Sequence, residues 1–394
     1  MEYRPYYLAG EWVRLGHRVR IIAASFSHLR TKNPAFNSSL FLELKNGIEY
    51  FWIKTPAYSK NGIRRIINML FFIIGLFLNQ TEIVKDFIPD VVIASSTYPL
   101  DNYFAGMIAK RYRAKYVYEV HDLWPLSPIE LGGYSRWNPY IMVMQAAENY
   151  AYKHCNKVVS LLPCAEPYMR KHGLQAGKFV YIPNGIDPIQ WSIARESIPG
   201  LHRGVIDAAR SNGSTLICYA GSHGLANALD CFLDAAKQLE DINVIFLLVG
   251  NGPEKRRLED RIKVENIKNV VSLPPVQRAA IPKLLTEMDI LFIGLQRQRL
   301  FRFGISPNKL LDYMMAGKPI IQAIEAGNDL TTEARCGMSV KPEDPAAIAE
   351  AIRRLMDMSE AERRILGENG RHYVLSHHDY RILARKFLDV IAKE

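Results

Sequence analysis

The stretch RFGISPNKLLDYMMAGKPII, residues 302–321, holds the side chains with the clearest chemical demand. Ser306 suits the N-cap of a helix, Pro307 its first position, and Gly317 its left-handed terminator. Lys309 then adds a cation where the helix dipole is already positive, a conflict that an anion at the helix mouth removes. Free N–H groups of Asn308 and Lys309, the Lys309 ammonium and the dipole end are the parts of a diphosphate site. Arg297, Arg299 and Arg302 just upstream add to the positive field. Asp312 lies three residues beyond Lys309 on the same helical face, where a carboxylate can accept two hydrogen bonds from the vicinal hydroxyls of a ribose. The competing reading is an ordinary capped helix with an i,i+3 ion pair.

Other loops offer weaker signals. YAGSHGLANALD, residues 219–230, passes from a strand-like run to a helical one through Gly221 and Gly224, which allow backbone N–H groups to approach a phosphate. VGNGPEKRRLED, residues 249–260, makes a similar turn in which Gly250 and Gly252 read as geometry. His121, in EVHDLWP, follows a strand-like run, the place where open α/β sheets bind ligands, with Asp122 orienting it or capping the next loop. His377 and His378 read as surface or packing residues.

Positioning these groups requires a scaffold, and short apolar runs alternating with longer amphipathic stretches predict parallel α/β sheets. Strands are expected at VRIIAAS, IEYFWIK, DVVIASS, KYVYEV, KVVSLL and FVYIP, then at TLICYAG, NVIFLLVG, NVVSL, DILFIGL and KPIIQAI. The turn IPNGID, residues 182–187, separates them. Two doubly wound halves follow, residues 1–188 and 189–377, with a last helix at about 378–394 packing back on the first. The chain opens directly on the helical pattern EYRPYYLAGEWVRLGH. The first strand and its glycine-rich turn are therefore expected to be absent, as in a chain that starts at an internal methionine.

The 394 residues, 48% hydrophobic and 23% charged, are enough for two globular domains and too apolar for disorder. Five scattered cysteines without a CxxC imply neither a disulfide framework nor a zinc site. The run IINMLFFIIGLFLN, residues 66–79, is too short to span a bilayer, but Lys60, Arg64 and Arg65 precede it. It reads either as a core helix or as a helix lying on anionic lipid. Residues 1–188 carry 22 basic against 14 acidic side chains, a net of +8 out of the chain's +10. No zinc finger, aromatic RNA-binding motif or basic arm makes the anionic partner a nucleic acid.

SPNKLLDYMMAGKPII resembles the signature helix of the family 4 retaining glycosyltransferases of the two-domain GT-B fold, and IPNGID resembles the turn that closes their first domain. MEYRPYYLAGEWVRLGHRVRIIAASFSHLR, YEVHDLWPLSPIELGG and YAGSHGLANALD resemble a bacterial subgroup that builds surface polysaccharides, including transferases of the fucosamine and colanic acid type. The resemblance implies two Rossmann-like domains facing across a cleft. It gives Asp312 the place of the second signature glutamate, which holds the nucleotide ribose, and puts Gly304 where the first signature glutamate contacts the donor sugar. Ser222, His223, Ala226 and Asn227 stand where many members carry an arginine and a lysine. Lys309, His223 and the upstream arginines, Arg302 among them, are left to balance the diphosphate, and Val276 is placed near the base.

The implied reaction moves a sugar from a nucleotide diphosphate donor, UDP-linked by expectation, to a hydroxyl of a lipid diphosphate-linked glycan. Configuration is retained, and the departing diphosphate takes the acceptor's proton. Without a DxD pair in the sequence, no metal and no cofactor is expected. The implied location is cytoplasmic, with peripheral contact to the inner membrane. Two alternatives remain open: a non-hydrolysing sugar-nucleotide epimerase, and a non-catalytic sugar-nucleotide-binding or scaffold protein.

Overall fold

The structure is a computed structural model that describes residues 3–28, 30, 32–59, 62–95, 97–193 and 196–392. Lys60, expected beside the apolar run, lies outside the described residues. The chain divides into two compact units, residues 1–183 with 380–394, and residues 184–379.

In the first unit the strands are β1 (Arg20–Ala24), β2 (Leu40–Lys45), β3 (Ile48–Ile53), β4 (Val91–Ala94), β5 (Lys115–Val120), β6 (Lys157–Ser160) and β7 (Phe179–Tyr181). They fall into two sheets, β1-β3-β2 and β4-β5-β6-β7, with no ladder joining β1 to β4 among the described residues. All pairs are parallel except β2 with β3. The sequence reading missed β2. Its LFLELK lacks a clean period of two because Phe41, Leu42 and Leu44 are all exposed. The C-terminal helix Tyr380–Ala392 packs on the first helix, Tyr3–Arg14: Tyr7 stacks on Tyr380 at 4.9 Å, and the Trp12 indole N–H donates to the Ala384 carbonyl at 3.1 Å.

The second unit is a single parallel sheet of β8 (Thr215–Ser222), β9 (Val244–Asn251), β10 (Val270–Leu273), β11 (Ile290–Gly294), β12 (Ile320–Ala323) and β13 (Gly337–Val340). The order is β10-β9-β8-β11-β12-β13. Both faces of the sheet are buried: along β8, Leu216, Cys218 and Ala220 enter one core while Ile217 and Tyr219 enter the other. Such double burial explains the continuous apolar runs that made these strands readable. The short edge strand β13 was not predicted, because GMSV is only partly buried. Strand order reverses between β8 and β11, so the loops leaving those two strands flank a topological switch point, where open α/β sheets bind ligands.

Candidate functional site

The loop after β11 leads into the helix Asn308–Ala316, which starts one residue later than expected. Pro307, not Ser306, takes the N-cap position, and no side chain caps the helix. Pro307 there is extended, with ψ 119°, and cannot continue the helix backwards. Ser306 is used elsewhere: its hydroxyl accepts the Asn184 N–H at 2.9 Å and its carbonyl accepts the Asn184 side-chain amide at 2.8 Å. Asn308 is exposed, and its N–H and that of Lys309 remain available to an anion, whereas the Leu310 N–H donates to the Pro307 carbonyl at 3.1 Å.

Lys309 bends back over the end of β8. Its Nζ donates to the Tyr219 hydroxyl at 2.6 Å and the Asn227 carboxamide oxygen at 3.3 Å, and lies 4.0 Å from the centroid of the Tyr219 ring. Gly221 makes the room, since a Cβ there would come within 2.5 Å of the Lys309 Cε. Tyr219 and Asn227 both also donate to the Ser222 carbonyl, which ties the loop to the lysine. Desolvation, with no carboxylate contributing, pulls the Lys309 pKa down to about 7. The ion pair with Asp312 that the spacing allowed is not formed.

Asp312 is 5% exposed, and both its oxygens accept from Arg278, at 2.7 and 3.1 Å. Burial raises its pKa and Arg278 opposes the rise. The carboxylate assigned to the ribose is therefore covered by an exposed guanidinium that the sequence reading did not single out. Tyr313, next along the helix, fixes the helix to β8: its hydroxyl accepts the Ala220 N–H at 2.8 Å.

His223 is 1% exposed, and neither ring nitrogen has a hydrogen-bond partner. Desolvation first, then Lys255 and Lys309, push its pKa down to about 4. The expectation that His223 helps balance a diphosphate as a cation is corrected: at neutral pH the ring is uncharged. Gly250 and Gly252 serve geometry as read, because a Cβ on either would meet backbone atoms of Gly221 or His223 within 2.4 Å. A Cβ on Gly224 would make only ordinary contact, 3.5 Å from the Asn227 carboxamide nitrogen, and Ser222 is exposed at the turn.

The upstream arginines do not converge on the helix mouth. Arg297 pairs with Glu325 at 3.1 Å, and Arg302 lies over Phe303 and donates to the Arg299 carbonyl. Gly304 adopts φ 98°, a left-handed value that a glutamate would strain, so the backbone is built for glycine here. Asn328 holds the next residue, accepting from the Ile305 N–H and donating to its carbonyl. Val276 packs against the core of the unit. His378 is a packing residue: it is buried, with Nδ1 2.8 Å from the Asn184 carbonyl.

In the first unit, His121 does not rely on Asp122. Its Nε2 lies 3.2 Å from Glu119 and 3.0 Å from the Ser95 hydroxyl, which itself donates to Glu119. Asp122 is exposed and makes no side-chain hydrogen bond among the described residues. Glu119 is buried and ion-paired with buried Arg4 at 2.9 Å, and Arg4 also donates to the carbonyls of Ile182 and Pro183. Arg4 and His121 hold the Glu119 carboxyl far below the usual range, against its desolvation. Glu119 lies on β5 and His121 just past its end, two residues on, a spacing close enough in sequence to be a legible signal; Arg4, 115 residues away from Glu119, gave none.

A parallel six-stranded sheet with a lysine and an uncapped helix start at its switch point is an arrangement that can take an anionic ligand. Residues 1–185 match the family described as "Glycosyl transferase 4-like domain" and residues 214–358 that described as "Glycosyl transferases group 1". The chain belongs to the family 4 glycosyltransferases of the GT-B fold. It is 22% identical over 361 residues to WcaI of Escherichia coli (strain K12), a protein named as a glycosyl transferase of colanic acid biosynthesis, covering 88% of this chain and 86% of WcaI. Among solved structures, sucrose-phosphate synthase from Thermosynechococcus elongatus superposes with a TM-score of 0.70 at 16% identity, over 97% of this chain and 90% of that one. Anabaena HepE in complex with UDP and glucose gives a TM-score of 0.63 at 15% identity, over 89% and 87%.

Proposed function

We propose that this glycosyltransferase moves a sugar, with retention of configuration, from a UDP-sugar to a hydroxyl of a lipid diphosphate-linked saccharide during synthesis of a bacterial capsule, O-antigen or exopolysaccharide. The observation that carries the donor half of this reading is Lys309: a desolvated amine at an uncapped helix start, without a carboxylate partner. A diphosphate supplies the missing counter-charge. The structure of HepE with UDP supports UDP as the carrier, and the likeness to WcaI supports a polysaccharide acceptor.

In this reading the β-phosphate departs as the acceptor hydroxyl attacks the anomeric carbon from the same face. A phosphate oxygen takes the hydroxyl proton, so the protein supplies no nucleophile. Lys309 and the N–H groups of residues 308 and 309 stabilise the charge that develops on the leaving diphosphate, in place of a metal ion. His121, held by Glu119, hydrogen-bonds a hydroxyl of the transferred sugar or acceptor.

The test is UDP release from a panel of UDP-sugars with membrane-extracted acceptor, in the presence of a chelator, with the anomeric configuration of the product read by NMR. Release at background for every donor and acceptor refutes transfer by this chain, and inversion or chelator-sensitivity refutes the corresponding part of the mechanism.

A further inference from the structure

The helix Ile63–Leu78 buries Asn68, Met69, Phe72, Gly75 and Leu76. Its other face carries Ile63, Ile67, Leu70, Phe71, Ile74 and Leu78, each between 40% and 79% exposed, and nothing among the described residues covers them. No ionisable residue occurs between Arg65 and Glu82. The helix is 16 residues long, about 24 Å at the α-helical rise, and with one side committed to the protein core it cannot cross a bilayer. An apolar row of this extent is rare on a soluble surface that has no partner.

Charge identifies the occupant. Arg64 is exposed in the first turn of the helix. At the far end Arg111 donates to Gln80 at 3.3 Å, which brings exposed Lys110, Arg111 and Arg113 beside the helix terminus. The unit that contains the helix has 26 basic against 15 acidic residues, net +11, whereas the other has 24 against 25, net −1. A second copy docking through this face would bring like-charged surfaces together; anionic lipid would not. We propose that the outer face of this helix lies in the plane of an anionic bilayer, at the headgroup–acyl boundary, with Arg64 and the 110–113 cations on lipid phosphates. The proposal deepens the lipid-linked acceptor reading and rests on it only for its purpose, so it is tested without donor or acceptor.

The test is co-sedimentation with vesicles of phosphatidylglycerol and phosphatidylethanolamine, against vesicles of phosphatidylcholine alone. Wild type is expected on the anionic vesicles. The triple variant Ile67→Asn, Phe71→Asn, Ile74→Asn should bind them at least about tenfold more weakly, through lost apolar burial. Arg64→Gln should bind about fivefold more weakly on anionic vesicles and equally on neutral ones. Melting temperature and far-UV circular dichroism, both unchanged, confirm that the variants are folded. Vesicle binding undiminished in the triple variant overturns the proposal. So does a concentration-dependent dimer, seen in sedimentation without lipid and abolished by the same three substitutions, in a protein that ignores vesicles. Vesicle binding that persists while no donor releases UDP leaves this inference standing and sinks the transferase reading alone.

Discussion

Lys309 allows a quantitative prediction, because its environment changes most when a diphosphate arrives. With its pKa pulled down to about 7 by burial, the free amine is about nine-tenths deprotonated at pH 8, and a diphosphate within hydrogen-bond reach restores the proton. Binding of UDP at pH 8 should therefore take up about 0.9 proton per site. Between pH 7.5 and 9 the diphosphate is fully ionised, so the linkage of Lys309 alone should weaken UDP by roughly 25-fold across that window. His223, with its pKa at about 4, stays neutral throughout and adds nothing to the slope. The assay is titration calorimetry at pH 8 in Tris and in HEPES, whose ionisation enthalpies differ, so the difference in observed heat gives the protons exchanged. Lys309→Met should abolish the uptake and weaken UDP at pH 7 by roughly 10- to 100-fold, the worth of a charge-assisted hydrogen bond. The same substitution should raise the melting temperature of the free protein. A folded-state pKa below the unfolded value of about 10.4 means that the unfolded chain binds more protons, so wild-type stability climbs with pH from about 7 to 10 while the methionine variant lacks that climb. Proton uptake below about 0.2 in the wild type, or equal uptake in Lys309→Met, refutes the assignment of the diphosphate to this lysine.

Three further outcomes are expected. Asp312→Asn should erase the preference for UDP over its 2′-deoxy analogue, a preference of roughly tenfold for one lost hydrogen bond in the wild type; identical preference in both proteins rules Asp312 out as the ribose ligand. Gly304→Glu, which restores the family's glutamate at φ 98°, should destabilise the protein by about 1–2 kcal/mol in chemical denaturation rather than improve turnover. Glu119→Gln strips buried Arg4 of its counter-charge and should cost about 3–5 kcal/mol at pH 7. Because the folded pKa of Glu119 lies below the unfolded one, its contribution is complete above about pH 5 and fades as pH falls. Urea midpoints followed from pH 7 to 3 should thus converge between wild type and variant, and parallel curves would contradict the pairing.

Much of the second unit was legible because strands buried on both faces leave long apolar runs, and because Gly317, Lys309 and Asp312 sit on one short helix. What the sequence hid is what the tertiary structure brings from afar. Arg278 reaches Asp312 across 34 residues, Tyr219 reaches Lys309 across 90, and Arg4 reaches Glu119 across 115. No local period records such pairs. Ser306 misled for a related reason: its residue type favours capping, but Asn184 competes for the same hydroxyl and wins. The 66–79 run stayed ambiguous in sequence because a half-buried apolar helix has the composition of a buried one. Only the solvent exposure of Phe71 and Ile74, beside buried Phe72 and Leu76, separates the two.

In the proposed reading the two departures from the family pattern act on different parts of the donor. At Gly304 the main chain holds a positive φ that a glutamate adopts only under strain, so the proposed sugar end of the site lacks a carboxylate that a single substitution restores only at a cost in stability. At Asp312 a carboxylate remains, but it is one methylene shorter than glutamate and already holds a guanidinium. A ribose must either displace Arg278, which 63% side-chain exposure makes feasible, or bind beside it and use its remaining donors. Either way, in the proposed reading, the nucleoside end is read by the pair, whereas the diphosphate end rests on Lys309 and backbone N–H groups that carry no information about the sugar. Donor choice must then come, in the proposed reading, from groups outside the Lys309 and Asp312 cluster, because neither the diphosphate nor the ribose distinguishes one sugar from another.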